Sequence, residues 1–143
     1  MIYERKSAAF RELDRYIRLV APTDMTVLIL GNTGTGKEHL AGKIHKRSLR
    51  ANKPYITVDC GSLSRELAAS AFFGHVKGAF TGATDEKPGY FQEARGGTLF
   101  LDEVENLPVE IQQMLLRAME ERRYRPVGGR QDKRMDVRVI AAT

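Results

Sequence analysis

Apolar residues fall along this chain of 143 residues in two rhythms. Val27-Leu28-Ile29-Leu30, Tyr55-Ile56-Thr57-Val58, Thr98-Leu99-Phe100-Leu101 and residues 137–142 are short, mostly apolar runs that read as strands. The first, with no polar residue, predicts a buried parallel strand, and the last, with Arg138 as its one charge, predicts a buried strand. Elsewhere the spacing switches to three and four. Residues 7–19 set Phe10, Leu13 and Ile17 on one side of a charged segment, an amphipathic helix. Residues 38–49 carry Leu40, Ala41 and Ile44 inward. Residues 63–73 do so with Leu67, Ala68, Ala71 and Phe72. Residues 108–121 do so with Ile111, Met114, Leu115, Ala118 and Met119, behind Pro108 as a helix starter. Ala21-Pro22-Thr23-Asp24, Asn52-Lys53-Pro54 and Lys87-Pro88-Gly89 punctuate these elements as turns. Residues 124–136 read as a hairpin or loop centred on Gly128-Gly129. Strands alternating with helices predict an α/β domain, a three-layer α/β/α sandwich around a mostly parallel sheet.

Composition changes this picture little. The length suits one domain, and no apolar run is long enough to span a membrane. One cysteine, Cys60, excludes an internal disulfide and fits a reducing cytoplasm; a small buried residue after a strand is its simplest role. The net charge of +5 is unevenly spread, with Arg122, Arg123, Arg125, Arg130, Lys133 and Arg134 close together. Tyr124 is the one aromatic among them, so the cluster reads as solvated surface or subunit contact, not a nucleic-acid platform. His45 lacks a metal-ligand partner at useful spacing and reads as structural or solvated.

Candidate chemistry changes the picture more. The first strand runs into Gly31-Asn32-Thr33-Gly34-Thr35-Gly36-Lys37, and a helix follows. Strand, Gly-x-x-x-x-Gly-Lys and helix make a phosphate-binding loop: curled backbone N–H groups, a helix N-terminus and the Lys37 ammonium all face one anion. Glu38 stands where Ser or Thr often ligates magnesium; its carboxylate could hold the metal or sit on the helix dipole. The third run ends in Asp102-Glu103. Asp102 can hold magnesium through water, and Glu103 can orient a water for in-line attack on a γ-phosphate. Asp59 ends the second strand at the edge where parallel sheets bind ligands, although an Asp there also caps turns. Gly78-Ala79-Phe80-Thr81-Gly82-Ala83 follows neither rhythm. Phe80 sits between glycines, either turned inward or offered to another surface.

Four of these stretches, GNTGTGKE (31–38), GAFTGA (78–83), GTLFLDE (97–103) and DVRVIAAT (136–143), occur in the order seen in one family. From about Val20 onward the chain resembles the central AAA+ domain of sigma-54-dependent transcription activators, the bacterial enhancer-binding proteins. The phosphate loop is specific only to the superfamily, whereas GAFTGA between two nucleotide motifs is specific to this family. The resemblance implies an ATP-hydrolysing motor with ATP and Mg2+ as cofactors. Residues 31–38 would hold the phosphates, Asp102 and Glu103 would be the Walker B pair, and Thr143 would be sensor I. Residues 78–83 would touch sigma-54, supported by the basic hairpin near 125–134. Glu38 is common in the family at its position.

The resemblance also implies a hexameric ring in a cytoplasmic regulator, with receiver and DNA-binding functions in separate domains outside this chain. Three positions depart from the family pattern: Asp59 stands where Asn pairs with the catalytic Glu, Val76 stands where Glu precedes the loop, and Ile2-Tyr3-Glu4-Arg5 poorly matches the adenine-side segment. Residues 1–143 are therefore expected to be one partial AAA+ domain, a helix near 7–19 and a core near 25–143. They would stop before the last strand, the arginine fingers and the helical lid, and would hydrolyse ATP weakly or not at all alone. The alternative is a P-loop module that docks a partner through Phe80 without productive hydrolysis. A GTPase or small-molecule kinase is the third reading; Asn52-Lys53-Pro54-Tyr55 lacks the Asp of a guanine signature.

Overall fold

A computed structural model of the chain describes residues 8–31 and 36–143, with side chains of the first helix described from Arg11. The elements are α1 (Ala8–Val20), β1 (Val27–Ile29), α2 (Gly36–Lys46), β2 (Tyr55–Asp59), α3 (Ala68–Phe73), α4 (Tyr90–Glu93), β3 (Thr98–Asp102), α5 (Val109–Glu121), β4 (Arg123–Tyr124), β5 (Lys133–Arg134) and β6 (Arg138–Ala142). Four strands form a wholly parallel sheet in the order β1-β6-β3-β2; β4 and β5 form a separate antiparallel hairpin.

Side chains on a strand alternate between faces, and here that alternation builds two cores. Phe100 of β3, Ile140 and Ala142 of β6 and Ile29 of β1 pack with Ile17 of α1 and Ala41 and Ile44 of α2. Leu99 and Leu101, Val139 and Ala141 point the other way, against Phe72 and Phe73 of α3, Phe91 of α4 and Ile111, Leu115 and Ala118 of α5. The result is the expected three-layer α/β/α arrangement. The second core is rich in rings: Phe73, Phe91 and Tyr124 lie within 6.0 Å of one another, centroid to centroid. Two glycines are required by close approach. A side chain on Gly97 would collide with the Pro54 carbonyl, and one on Gly89 with the backbone of Phe72 and Gly74.

The amino-terminal edge of the sheet is closed by arginines. Arg138, 1% exposed, donates from Nη1 to the Ala21 carbonyl (2.7 Å), from Nη2 to Val20 (2.8 Å) and from Nε to Met25 (3.1 Å). It thus ties two carbonyls at the end of α1, those of Val20 and Ala21, and one in the segment that leads to β1. Arg50 donates to both Asp24 oxygens (3.0 and 3.1 Å), to Asp136 Oδ1 (3.1 Å) and to the Gly97 carbonyl (3.3 Å). His45 pairs through Nδ1 with Thr98 Oγ1 (2.8 Å) and stacks on Tyr55, so it is structural.

Several expectations need correction. β1 lies at an edge of the described sheet, so Leu28 and Leu30 are exposed, not buried on both faces. The helix expected over 63–73 begins only at Ala68, after turns; Leu67 is therefore exposed. α2 ends at Lys46 and residues 47–50 continue as turns. Leu13 and Met114 lie on the flanks of their helices and remain about two-fifths exposed, because each helix buries a stripe narrower than its apolar residues. Phe10 and residues 32–35 fall outside the described side chains.

Candidate functional site

Parallel pairing fixes where strand ends lie. Ile29 pairs with Ala142, Leu101 with Ala141 and Asp59 with Asp102, so all four strands finish at one edge. Gly31 after β1, Thr143 after β6, Asp102-Glu103 at β3 and Asp59 at β2 stand there in sheet order. This carboxyl-terminal edge is the place where ligands sit in open parallel sheets.

Helix α2 starts from the same edge, with Glu38 exposed in its first turn beside the helix N-terminus. Lys37 is half-buried and donates from Nζ to the Thr143 main-chain oxygen (2.6 Å). Thr143 in turn donates its main-chain N–H to the Ile29 carbonyl (3.1 Å). Gly31, Gly36 and Lys37 are the described residues of the glycine-rich run; Asn32, Thr33, Gly34 and Thr35 lie outside the described residues.

The acids cluster at the other half of the edge. Glu103 has φ 56 and ψ 49, one of two non-glycine residues with positive φ among the described residues. A left-handed backbone at such a residue is strained and is found preferentially at functional sites. It opens a 3-10 turn, Val104–Asn106, and Asn106 Nδ2 donates to Glu103 Oε1 (2.8 Å). Asp59 caps the turn Cys60–Ser62, its Oδ1 accepting from Gly61 N–H (3.1 Å). Glu105, which belongs to no sequence motif, is held below the usual carboxylate range, chiefly by a hydrogen bond with the Thr143 side chain and further by the Lys37 charge. The signal that could have found it was its position two residues after Glu103.

Cys60 reports the sign of this edge. Its thiol is pushed up to about 12, first by burial and then by Asp59, Asp102, Glu105 and Glu103. Such a thiol is inert at neutral pH. The edge therefore offers one ammonium at one end and a group of carboxylates at the other. No three His, Cys, Asp or Glu side chains among the described residues converge on a point that would hold a metal alone. The donor set fits a phosphate-bound magnesium instead, which takes one or two carboxylates and completes its shell with phosphate oxygens and water.

The loop 78–83 is a separate feature. Gly78 N–H donates to the Ala83 carbonyl (2.8 Å) and Ala83 N–H to Phe80 (3.0 Å), closing a tight loop. Gly78 and Gly82 have φ +81 and +95, values that a side chain would strain. Ala79 and Thr81 lie between them, and buried Ala83 pins the loop's base. Phe80 is 37% exposed, its ring edge-on to His75 at 5.0 Å, and His75 is fixed by Ser70 Oγ (2.6 Å). The hairpin β4–β5 is laced to the loop's base. Val76 N–H donates to the Val127 carbonyl (3.2 Å) and Val127 N–H to Gly74 (2.9 Å). Gly128 sits so close that a side chain there would meet Ala79 and Val76. Val76 thus serves as an apolar contact. Within the hairpin, Asp132 pairs with Arg125 (3.0 Å) and Arg123 (3.8 Å).

Comparison with known proteins agrees with this geometry. The family model described as the Sigma-54 interaction domain matches residues 3–143. The sigma54-dependent transcriptional regulator SfnR of Pseudomonas fluorescens is 52% identical over 128 residues, covering 90% of this chain and 35% of that protein. The transcriptional regulatory protein GlrR of Escherichia coli is 51% identical over 126 residues, covering 88% of this chain and 28% of that protein. The chain thus spans about a third of the length of these relatives. Among solved structures, NtrX from Brucella abortus in complex with ATP superposes with a TM-score of 0.83 at 37% identity, over 96% of this chain and 31% of NtrX. The P-loop NTPase domain of a sigma-54 activator from Escherichia coli shares the fold, with a TM-score of 0.61 at 22% identity, over 96% of this chain and 75% of that one. With its strand ends, its acid pair and its glycine-hinged loop in one α/β/α frame, this chain belongs to the Sigma-54 interaction domain family.

Proposed function

We propose that this chain is the nucleotide-driven part of a sigma-54-dependent transcription activator. It binds ATP at the carboxyl-terminal edge and passes the nucleotide state to loop 78–83, which docks on sigma-54. The observation that carries the reading is the register: Gly31, Lys37, Thr143, Asp102, Glu103 and Asp59 share one edge of one parallel sheet. A similar protein, NtrX, has been solved with ATP bound.

In this reading residues 31–38 cradle the phosphates, with Lys37 as the full cation. Magnesium, when bound, supplies charge neutralisation between phosphate oxygens; Asp102, through water, and Glu38 are the residues that would hold it. Glu103 orients the attacking water and accepts its proton. Thr143 senses the phosphate from the end of β6, and Asp59 stands beside the acid pair. Phe80, flanked by Gly78, Ala79, Thr81, Gly82 and Ala83, is the sigma-factor contact. Residues 1–143 are one partial domain of a larger cytoplasmic regulator that assembles as a hexameric ring and reaches DNA through another domain.

The test pairs two substitutions. Lys37→Ala should weaken ATP binding to this chain at least tenfold, measured with a fluorescent ATP analogue. In the full-length activator, Glu103→Gln should keep ATP bound and abolish turnover, and Phe80→Ala should abolish capture of sigma-54 with an ATP transition-state mimic. ATP binding that ignores Lys37, or turnover that survives Glu103→Gln, would remove the motor reading.

A further inference from the structure

Asp59 and Asp102 are register partners on adjacent strands, so Asp59 and Glu103 bring two carboxylates to the same corner. Their convergence can be located on Gly61. A methyl placed there would stand 3.1 Å from Glu103 Oε1, 3.2 Å from Asn106 Nδ2 and 3.4 Å from Asp59 Oδ1. Three polar side chains therefore meet over the open face of one glycine.

Two ionised carboxylates have only acceptors and repel at short range. The corner resolves this by giving each its own donor. Asp59 Oδ1 takes the Gly61 N–H, and Glu103 Oε1 takes the Asn106 amide at 2.8 Å. Asn106 reaches Glu103 because residues i and i+3 eclipse in a 3-10 turn, and its own N–H closes that turn on the Glu103 carbonyl (2.9 Å). An acid at position 106 would add a third like charge, whereas an amide adds a donor.

We propose that Asn106 is a positioning residue for Glu103. Its amide holds Oε1 over Gly61, against the push of Asp59, and so fixes the direction in which the rest of the carboxylate faces. This rests on the reading of Glu103 as the group that aims the attacking water. Asn106 faces Gly61, which follows β2, the strand at the far side of the sheet from β1 and the Lys37 that follows it. Its loss should therefore be felt in turnover and not in ATP binding. The residue is exposed, so its replacement leaves the fold intact.

The experiment has two arms. In this chain, nuclear magnetic resonance of the side-chain amides should show an Asn106 Nδ2 proton shifted downfield and slow to exchange. Glu103→Ala should return it to the position of a solvated amide. In the full-length protein, Asn106→Leu should lower kcat for ATP on the order of tenfold or more, with KM within about twofold, since a misdirected catalytic group costs rate. Asn106→Ser, which keeps a donor, should recover part of the loss. An Asn106 amide signal indifferent to Glu103 would overturn the proposal, as would a loss expressed in KM or an equal loss in both Asn106 variants. If the unaltered protein does not hydrolyse ATP, the reading of Glu103 fails instead, and the amide signal still decides whether Asn106 holds it.

Discussion

The two edges of the four-stranded sheet use charge in opposite ways. At the amino-terminal edge the dominant charges are arginines, and they are saturated. Arg138 meets three carbonyls and Arg50 meets two carboxylates and two carbonyls. At the carboxyl-terminal edge the dominant charges are carboxylates, gathered closely enough to help push the Cys60 thiol up to about 12. Opposite charges placed in contact hold elements together; like charges placed in contact store a demand for a cation. One edge is thus built for cohesion. The other gathers like charges, which a neighbouring positive charge would relieve. The same strands serve both ends because a parallel sheet sends all its chain starts one way and all its chain ends the other.

That contrast can be broken by substitution. The largest effect is expected for Arg138→Met, which takes the guanidinium donor from the carbonyls of Ala21 and Met25 and leaves that of Val20 to Thr23 alone. A loss of about 3 kcal/mol in urea unfolding follows from removing charge-assisted bonds to buried acceptors. A change below about 1 kcal/mol would show that α1 is held by packing alone. Arg50→Gln should cost less, about 1–2 kcal/mol, because its Asp24 partner is 60% exposed and water screens that pair. At the opposite edge, Asp59→Asn should change stability by less than about 0.5 kcal/mol, since it keeps the acceptor for Gly61 and relieves repulsion. It should also speed alkylation of Cys60, because Asp59 is the largest of the acids holding that thiol up. Slower alkylation would contradict the charge argument.

The smallest effect is a slope with pH. Burial lowers the His45 pKa below its ordinary 6.5, so the folded protein keeps that ring neutral where the unfolded chain protonates. The sign follows: the unfolded state binds more protons, and stability falls as pH drops below about 6.5 toward the folded value. Thr98→Val should weaken the amino-terminal edge while leaving this slope in place, because burial and not the Thr98 hydroxyl is its leading cause. Calorimetry at pH 7 and pH 5 would measure it.

Much of this was legible along the chain. The apolar runs marked four of the sheet strands, and Pro108 marked the start of α5 almost to the residue. Gly31 to Lys37 reads as a phosphate loop from the sequence because such a loop is a local object, with its strand, its glycines and its helix adjacent in the chain. Burial was less legible. Leu28, Leu67 and Met114 look like core residues in one dimension and are exposed in three, since apolar patterning says which residues can be covered and not which ones find a neighbour. Asn106 and Glu105 carried no motif at all. Their roles depend on a left-handed turn at Glu103 and on strands that meet only after folding.

The sequence by itself determined the strand and helix alphabet and marked the glycine-rich run and the acid pair as candidates, because each is written in consecutive residues whose backbone preferences act locally. Tertiary structure alone decided the order β1-β6-β3-β2, which inserts the last strand between the first and third. That placement brings Thr143 beside Lys37, while parallel pairing puts the arginines and the carboxylates at opposite ends of the strands. Interstrand pairing joins residues far apart in sequence, from Thr98 with Arg138 to Val27 with Ile140, and no local preference encodes which strand will be the neighbour.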